Sequence, residues 1–182
     1  MPRSSPDDDG LPRPERRAGS TPAAWPDAMI ALKSKYALRA LIALARAGPG
    51  ETLQIGTIAT REAIPKKFLE QILLDLKHAG LVASRRGQHG GYHLLRAPQE
   101  IAFGEVLRIL EGPFVPLACL GNGGHRRCDD CRDERLCAVR RVFAKVAVAS
   151  GEILDGTTLA DVLSDPADRL DGERSSVILV KR

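Results

Sequence analysis

From residue 30 onward, apolar side chains recur at helical intervals, and glycine or proline interrupts them at regular points. Between Ile30 and Ala47 the positions Leu32, Tyr36, Ala40, Ile42, Leu44 and Ala45 predict a first helix, which Gly48-Pro49-Gly50 stops. Two further helices are predicted over Ile55 to Ala63 and Pro65 to Ala79, with almost nothing between them. Proline suits the first turn of the second, where its missing N–H costs little, and Gly80 suits its C-terminal cap. The pair reads as a helix-turn-helix. In its second helix Phe68, Leu69, Ile72, Leu73 and Leu76 gather on one side, whereas Lys67, Glu70, Gln71, Leu74 and His78 project from the other.

The period then changes. Leu81 to Ser84 and Tyr92 to Leu95 read as short strands around the loop Arg85-Arg86-Gly87-Gln88-His89-Gly90-Gly91, which predicts a glycine-rich wing with two arginines at its base. Another helix is predicted over Ile101 to Glu111, with Ile101, Val106, Ile109 and Leu110 as its apolar members, ending at Gly112-Pro113. A loop rich in glycine, charge and cysteine follows. From Arg135 onward Val139, Val142, Phe143, Val146 and Ile153 recur at helical spacing over several turns. So long an amphipathic helix lacks a partner in a chain this small, and a second subunit would supply one. Thr157 to Leu163 predicts a short helix capped by Thr157 or Thr158, and the remaining tail is plain apart from the apolar run Val177 to Val180.

The fold class predicted is mainly α with a small β wing, a winged helix-turn-helix plus a long dimerisation helix. Residues 1–28 form a disordered extension, 29–98 the DNA-binding domain, 99–163 a linker helix, cysteine loop and dimerisation helix, and 164–182 a tail. The extension is rich in Pro, Gly and Ser and poor in large apolar residues, so burial cannot offset the entropy of ordering Met1 to Asp27. Periodic sequence begins abruptly at Met29, which marks it as a candidate true start.

Composition narrows the function. The 182 residues carry a net charge of +4, yet residues 1–28 are net −1. Residues 61–96 hold Arg61, Lys66, Lys67, Lys77, Arg85, Arg86 and Arg96 against Glu62, Glu70 and Asp75, so most of the positive excess lies on the helix-turn-helix and wing. A helix presenting Lys67, Glu70 and Gln71 near its N-terminus suits the major groove, where Gln addresses adenine and Glu accepts from cytosine. Lys66, Lys67, Arg85 and Arg86 would neutralise phosphates. Apolar runs are short, as at Leu41 to Ala45, against the ~20 residues of a membrane span, and no secretory signal is evident. These features predict a soluble, cytoplasmic protein without a membrane partner. No paired carboxylates, nucleophile elbow or phosphate loop supports an enzyme.

The cysteines fall at Cys119, Cys128, Cys131 and Cys137. Four cysteines scattered at random would cluster so tightly less than about once in a hundred chains. In a reducing compartment the cluster suggests metal or redox chemistry: zinc or an iron-sulfur cluster, since both accept tetrahedral thiolate ligation. Arg126, Arg127, Arg132 and Arg135 would offset the charge of a thiolate site. Cys128 is as readily a plain loop residue, and spacing leaves zinc and iron both open. His125 is the one histidine placed to ligate. Two rivals of other classes are a thiol-redox or electron-transfer protein using Cys128-Asp129-Asp130-Cys131, which lacks the βαβ context of that motif, and a basic module for an acidic protein partner.

Several runs together resemble a known family. Lys33-Ser34-Lys35-Tyr36-Ala37-Leu38-Arg39-Ala40-Leu41, Ile64-Pro65-Lys66-Lys67-Phe68-Leu69-Glu70-Gln71-Ile72-Leu73, Leu76-Lys77-His78-Ala79-Gly80-Leu81-Val82 and Arg86-Gly87 through Gly90-Gly91-Tyr92-His93-Leu94 are similar to the Rrf-two family of bacterial transcription regulators, which includes the iron-sulfur regulators IscR, NsrR and RirA. The resemblance spans about Met29 to Leu163. It implies a homodimer that binds double-stranded operator DNA, usually as a repressor, with a cysteine-held cluster altering DNA affinity, 2Fe-2S in preference to 4Fe-4S. By position it implies Cys119, Cys131 and Cys137 as ligands, and DNA contacts at Pro65, Lys67, Phe68, Glu70 and Arg86. Two departures bear on the fourth ligand: Arg140 stands where IscR-like members place a histidine, and Lys35 where NsrR-like members place an aspartate. Cys128 is the candidate for that role, or for redox chemistry with Cys131. Zinc, or no metal at all, is the alternative.

Overall fold

A computed structural model describes residues 30–87, 90–121 and 126–165. The expectations placed on Met1 to Asp27, Met29, His89, His125 and Val177 to Val180 lie outside these residues.

Helix α1, Leu32–Ala47, is the centre of the fold. Its buried side chains are Ser34, Ala37, Leu38, Ala40, Leu41, Ala43 and Leu44, which wrap round most of the helix because four other elements pack on it. Ala40 and Leu44 are buried as the periodicity favoured, but Ile42 is only half-buried and Leu32 is exposed, and Leu38 and Leu41 complete the inward face. The helix ends where predicted, at Gly48, whose φ of +100° no side-chain-bearing residue adopts cheaply.

Helices α2, Ile55–Arg61, and α3, Lys66–His78, form the helix-turn-helix. The turn stores a left-handed residue, Ala63 at φ +49°, and brings Ile64 into the core. Pro65 stands one position earlier than expected, as the cap of α3, and its carbonyl accepts from the N–H groups of Phe68 and Leu69, both at 3.0 Å. Leu69, Ile72, Leu73 and Leu76 are fully buried.

Strands β1, Val82–Arg85, and β2, Gly91–Leu94, pair antiparallel, with Val82 opposite Leu94 and Arg85 opposite Gly91. Leu53 adds a one-residue bridge to Tyr92, through hydrogen bonds of 2.9 and 2.8 Å. Glycine at position 91 is what allows this: a Cβ there would lie 2.5 Å from the Leu53 carbonyl oxygen.

Helix α4, Phe103–Glu111, starts later than predicted, and Ile109 is 39% exposed. Ile101 is nevertheless buried, because its carbonyl accepts from Leu159 N–H at 3.0 Å and Ala102 bridges Thr158. Helix α5, Ala138–Gly156, runs 19 residues, and α6, Leu159–Ser164, is capped by Thr158 in a reciprocal box with Asp161. One continuous core joins Leu41, Leu69 and Leu76 to Ile101, Val106 and Leu159. Among the described residues, no helix is long and apolar enough to cross a membrane.

Candidate functional site

The buried side of α3 fixes which side chains remain outside. Lys66, Lys67, Glu70, Gln71 and Leu74 are all exposed, as is Pro65 at the cap. The first turn of α3 holds no acidic residue, so its unpaired N–H groups and two lysines present positive potential without internal cancellation. Phe68 differs from its neighbours: it is half-buried, and its ring meets Tyr36 of α1 edge-on. Arg85 closes β1 and Arg86 begins the turn, both exposed. Lys77 Nζ donates to Ser84 Oγ at 3.0 Å, joining α3 to the wing.

Three polar contacts that support this surface escape the periodic pattern. Arg39 Nε donates to Glu62 Oε2 at 3.2 Å, which pins α1 to the end of α2 and gives the buried Glu62 its partner. Lys33 Nζ pairs with Asp75 Oδ2 at 2.7 Å, and Gln71 Nε2 donates to Asp75 Oδ1 at 3.0 Å. The Lys33 hydrogen bond, with help from Gln71, holds the Asp75 carboxyl below its usual range against a smaller opposing effect of desolvation. Only the Gln71–Asp75 contact, at four residues' spacing, carries a signal in the sequence.

The cysteine loop sits at the other end of the molecule's long helix. Cys119 is buried in a short 3-10 turn, Ala118–Leu120; Cys131 and Cys137 are half-buried, and Cys128 is exposed. All four are free thiols. Cys137 caps α5, and its Sγ accepts from the Arg140 N–H at 3.4 Å. The side chain of Arg140 turns back, so that Nε and Nη2 donate to the Cys119 carbonyl, both at 3.4 Å. On the opposite side Arg127 Nη2 donates to the carbonyls of Cys131 at 3.1 Å and Arg132 at 3.3 Å. Partial desolvation, and then the neighbouring Cys119, Asp130 and Cys131, push the Cys128 thiol up from its usual value.

The donor set suits a soft metal in kind: four thiols of one segment, with arginine side chains on the carbonyls of Cys119 and Cys131. Among the described residues no three His, Cys, Asp or Glu side chains already converge as ligands. Helix α5 itself rests chiefly on α4 and the 118–120 turn, with Arg108 Nη1 2.5 Å from Asp155 Oδ1. It buries no residue of its own, and Val139, Val142, Phe143, Val146 and Ile153 are all exposed.

Comparisons agree with this architecture. Residues 30–165 match the family model for Rrf2, described as an iron-dependent transcriptional regulator. An rrf2-like HTH-type transcriptional regulator of Rhodobacter capsulatus is 48% identical over 147 residues, covering 78% of this chain and 98% of that protein. The structure of CymR, the global cysteine regulator of Bacillus subtilis, superposes with a TM-score of 0.63 at 33% identity over 74% of this chain and 95% of its own. That of the T. potens IscR gives 0.60 at 32% identity, over 75% and 86%. The winged helix, the exposed basic face of α3 and these matches identify a DNA-binding transcriptional regulator, and the chain belongs to the Rrf2 family.

Proposed function

We propose that this chain is a homodimeric, cytoplasmic repressor whose affinity for operator DNA is set by an iron-sulfur cluster on Cys119, Cys131 and Cys137, 2Fe-2S in preference to 4Fe-4S, with Cys128 as the fourth ligand. In this reading residues 29–98 read the DNA, and residues 99–163 sense and dimerise. The observation that carries it is the placement of Cys137 at the N-terminal end of α5, whose Arg140 also holds the Cys119 carbonyl; α5 packs on α4, itself packed on α1 beside α3. A change in loop order at Cys137 thus acts on α5, which two helices, α4 and α1, connect to the reading head.

On DNA, Glu70 and Gln71 would address base edges while Pro65, Lys66, Lys67, Phe68, Arg85 and Arg86 fix the helix and wing against the backbone. The apolar stripe Val139, Val142, Phe143 and Val146 would pair with its copy across a twofold axis, so that two recognition helices meet successive half-sites. A bound cluster would supply a charge and redox state that oxygen, nitric oxide or iron supply can alter. The chain's own part is to hold four thiolates together and to convert their release into disorder of the loop. A few kcal/mol of differential stability between the two dimer states suffices for such a switch.

Purification without oxygen, iron and sulfide assay, and operator binding before and after chelation test this. Two to four irons per subunit with a several-fold change in affinity is expected, whereas an iron-free protein with full binding overturns the cluster. Cys128 favours a second reading, since an exposed thiol beside Cys131 suits a thiol switch. In that case peroxide alters operator affinity with thiol loss in metal-free protein, and the effect disappears in Cys128→Ser. Bound zinc without iron would mark a third outcome, a structural site.

A further inference from the structure

We propose that Arg127, Glu134 and Arg140 form a clasp that positions the cysteine segments for ligation; this rests on reading the cysteines as a soft-metal site. Glu134 lies between the two arginines, 3.6 Å from Arg127 Nε and 3.9 Å from Arg140 Nε. Each arginine in turn reaches a cysteine carbonyl, Arg127 that of Cys131 and Arg140 that of Cys119. The backbone of Arg140 also holds the Cys137 sulfur. The 118–120 turn, the Cys131 segment and the start of α5 are thereby tied to one carboxylate.

Ordinary surface ion pairs contribute little, about 0–1 kcal/mol. This one matters because the loop's other contacts among the described residues are local turns and single backbone hydrogen bonds, such as Arg126 N–H to the Ala118 carbonyl and Cys131 N–H to that of Cys128. From residue 112 to the end of α5, Cys119 is the only buried position among the described residues, so no apolar core holds the segments together. Glu134 is 20% exposed in its side chain and Arg140 35%, so that half of the clasp is partly shielded from water, whereas Arg127 is 55% exposed.

Arg140 cannot be a ligand, because a guanidinium stays protonated and offers no lone pair. It serves instead as a fixed donor and counter-charge. Two guanidiniums against one carboxylate leave a positive excess beside the thiols, which offsets the negative charge that builds up when thiolates gather on a metal.

The full chain and the variants Glu134→Gln, Arg140→Ala and Arg140→Lys are prepared without oxygen and loaded with ferrous iron and sulfide. Two rates are measured: iron release to a ferrous chelator, and iodoacetamide alkylation of each cysteine in metal-free protein, mapped by mass spectrometry. Outer-sphere partners typically alter metal affinity about 10–100-fold, so about tenfold faster release is expected for Glu134→Gln and Arg140→Ala. Alkylation of the buried Cys119 should quicken several-fold in both. Arg140→Lys, which keeps the charge but loses the two-pronged grip, should fall between. Melting temperatures stay at the parent value because the clasp lies outside the core. Release and Cys119 alkylation within twofold of the parent in both variants overturns the clasp. A parent that takes up no iron overturns the cluster reading instead, and Cys119 alkylation then decides the clasp alone.

Discussion

Tyr36 and Phe68 meet edge to face, their ring centroids 5.8 Å apart and their planes at 75°. The contact ties the first turns of α1 to the first turn of the recognition helix, the part of α3 whose outer residues must reach a groove. Phe68 therefore seats the reading surface from behind as well as lying within it. Truncation of a half-buried aromatic should cost about 1–3 kcal/mol, less than the full core value, together with its share of edge-to-face attraction. Phe68→Ala is expected to lower the unfolding midpoint and weaken operator binding together, while Tyr36→Phe, which keeps the ring, leaves both unchanged. Chemical denaturation and gel shift measure this; a Phe68→Ala protein of parental stability would contradict the seating role.

Phosphate contacts and base contacts separate under salt. Lys67→Ala and Arg86→Ala should each weaken binding to all sequences alike and reduce the slope of log affinity against log salt by about 1. Glu70→Ala and Gln71→Ala should keep the slope but relax preference for the operator, by about 1–3 kcal/mol per base pair lost from readout. Titration of operator and scrambled duplexes across salt concentrations distinguishes the two sets, and an unchanged slope in Lys67→Ala removes that residue from the interface.

The unpartnered stripe of α5 makes an assembly prediction. Val146 and Phe143 are 43% and 38% exposed in the single chain, and burial of each in a twofold contact would contribute about 1–2 kcal/mol per subunit. Val146→Glu should halve the mass seen by light scattering and abolish tight operator binding with little change in helix content. A Val146→Glu protein that still sediments as a dimer would show that another surface pairs.

Acid should weaken the link between α1 and α3. Hydrogen bonding to Lys33 depresses the Asp75 carboxyl below its usual 3.8, so the folded state favours the ionised form. The stabilisation is complete above that value and is lost as pH falls through the lower folded one. Lys33→Met removes the main cause and should flatten the stability profile in that acid range while leaving it nearly parallel above. Denaturation midpoints over an acid series check this; an identical acid limb in parent and variant would remove Asp75 from the account.

Much of the scaffold was legible because amphipathic order is a local property. Leu69, Ile72, Leu73 and Leu76 are the buried face of α3 that their spacing predicted, and α5 follows the predicted stripe although it starts at Ala138, just after Cys137, and not at Arg135. What escaped is non-local. The Leu53–Tyr92 bridge joins a residue before the helix-turn-helix to the wing, and one residue has no period. Ile101 looked like a helix member because its partner, Leu159, lies far along the chain. The arginines of the cysteine loop were legible as charge, but their targets are backbone carbonyls, which every residue has. Arg140 in particular reads from sequence as a missing ligand, and only coordinates reveal the hydrogen bonds it makes instead.

Leu159, sunk in the core immediately beyond α5, fixes where that helix can move. With 19 residues at 1.5 Å each, α5 is a rod about 28 Å long anchored at its far end, so a displacement of about 1 Å at Cys137 amounts to a tilt of about 2° about that fulcrum. Motion at the sulfur end is thus geared down into a small rotation along the helix, yet it is delivered in full to whatever lies against the Cys137 end of the lever.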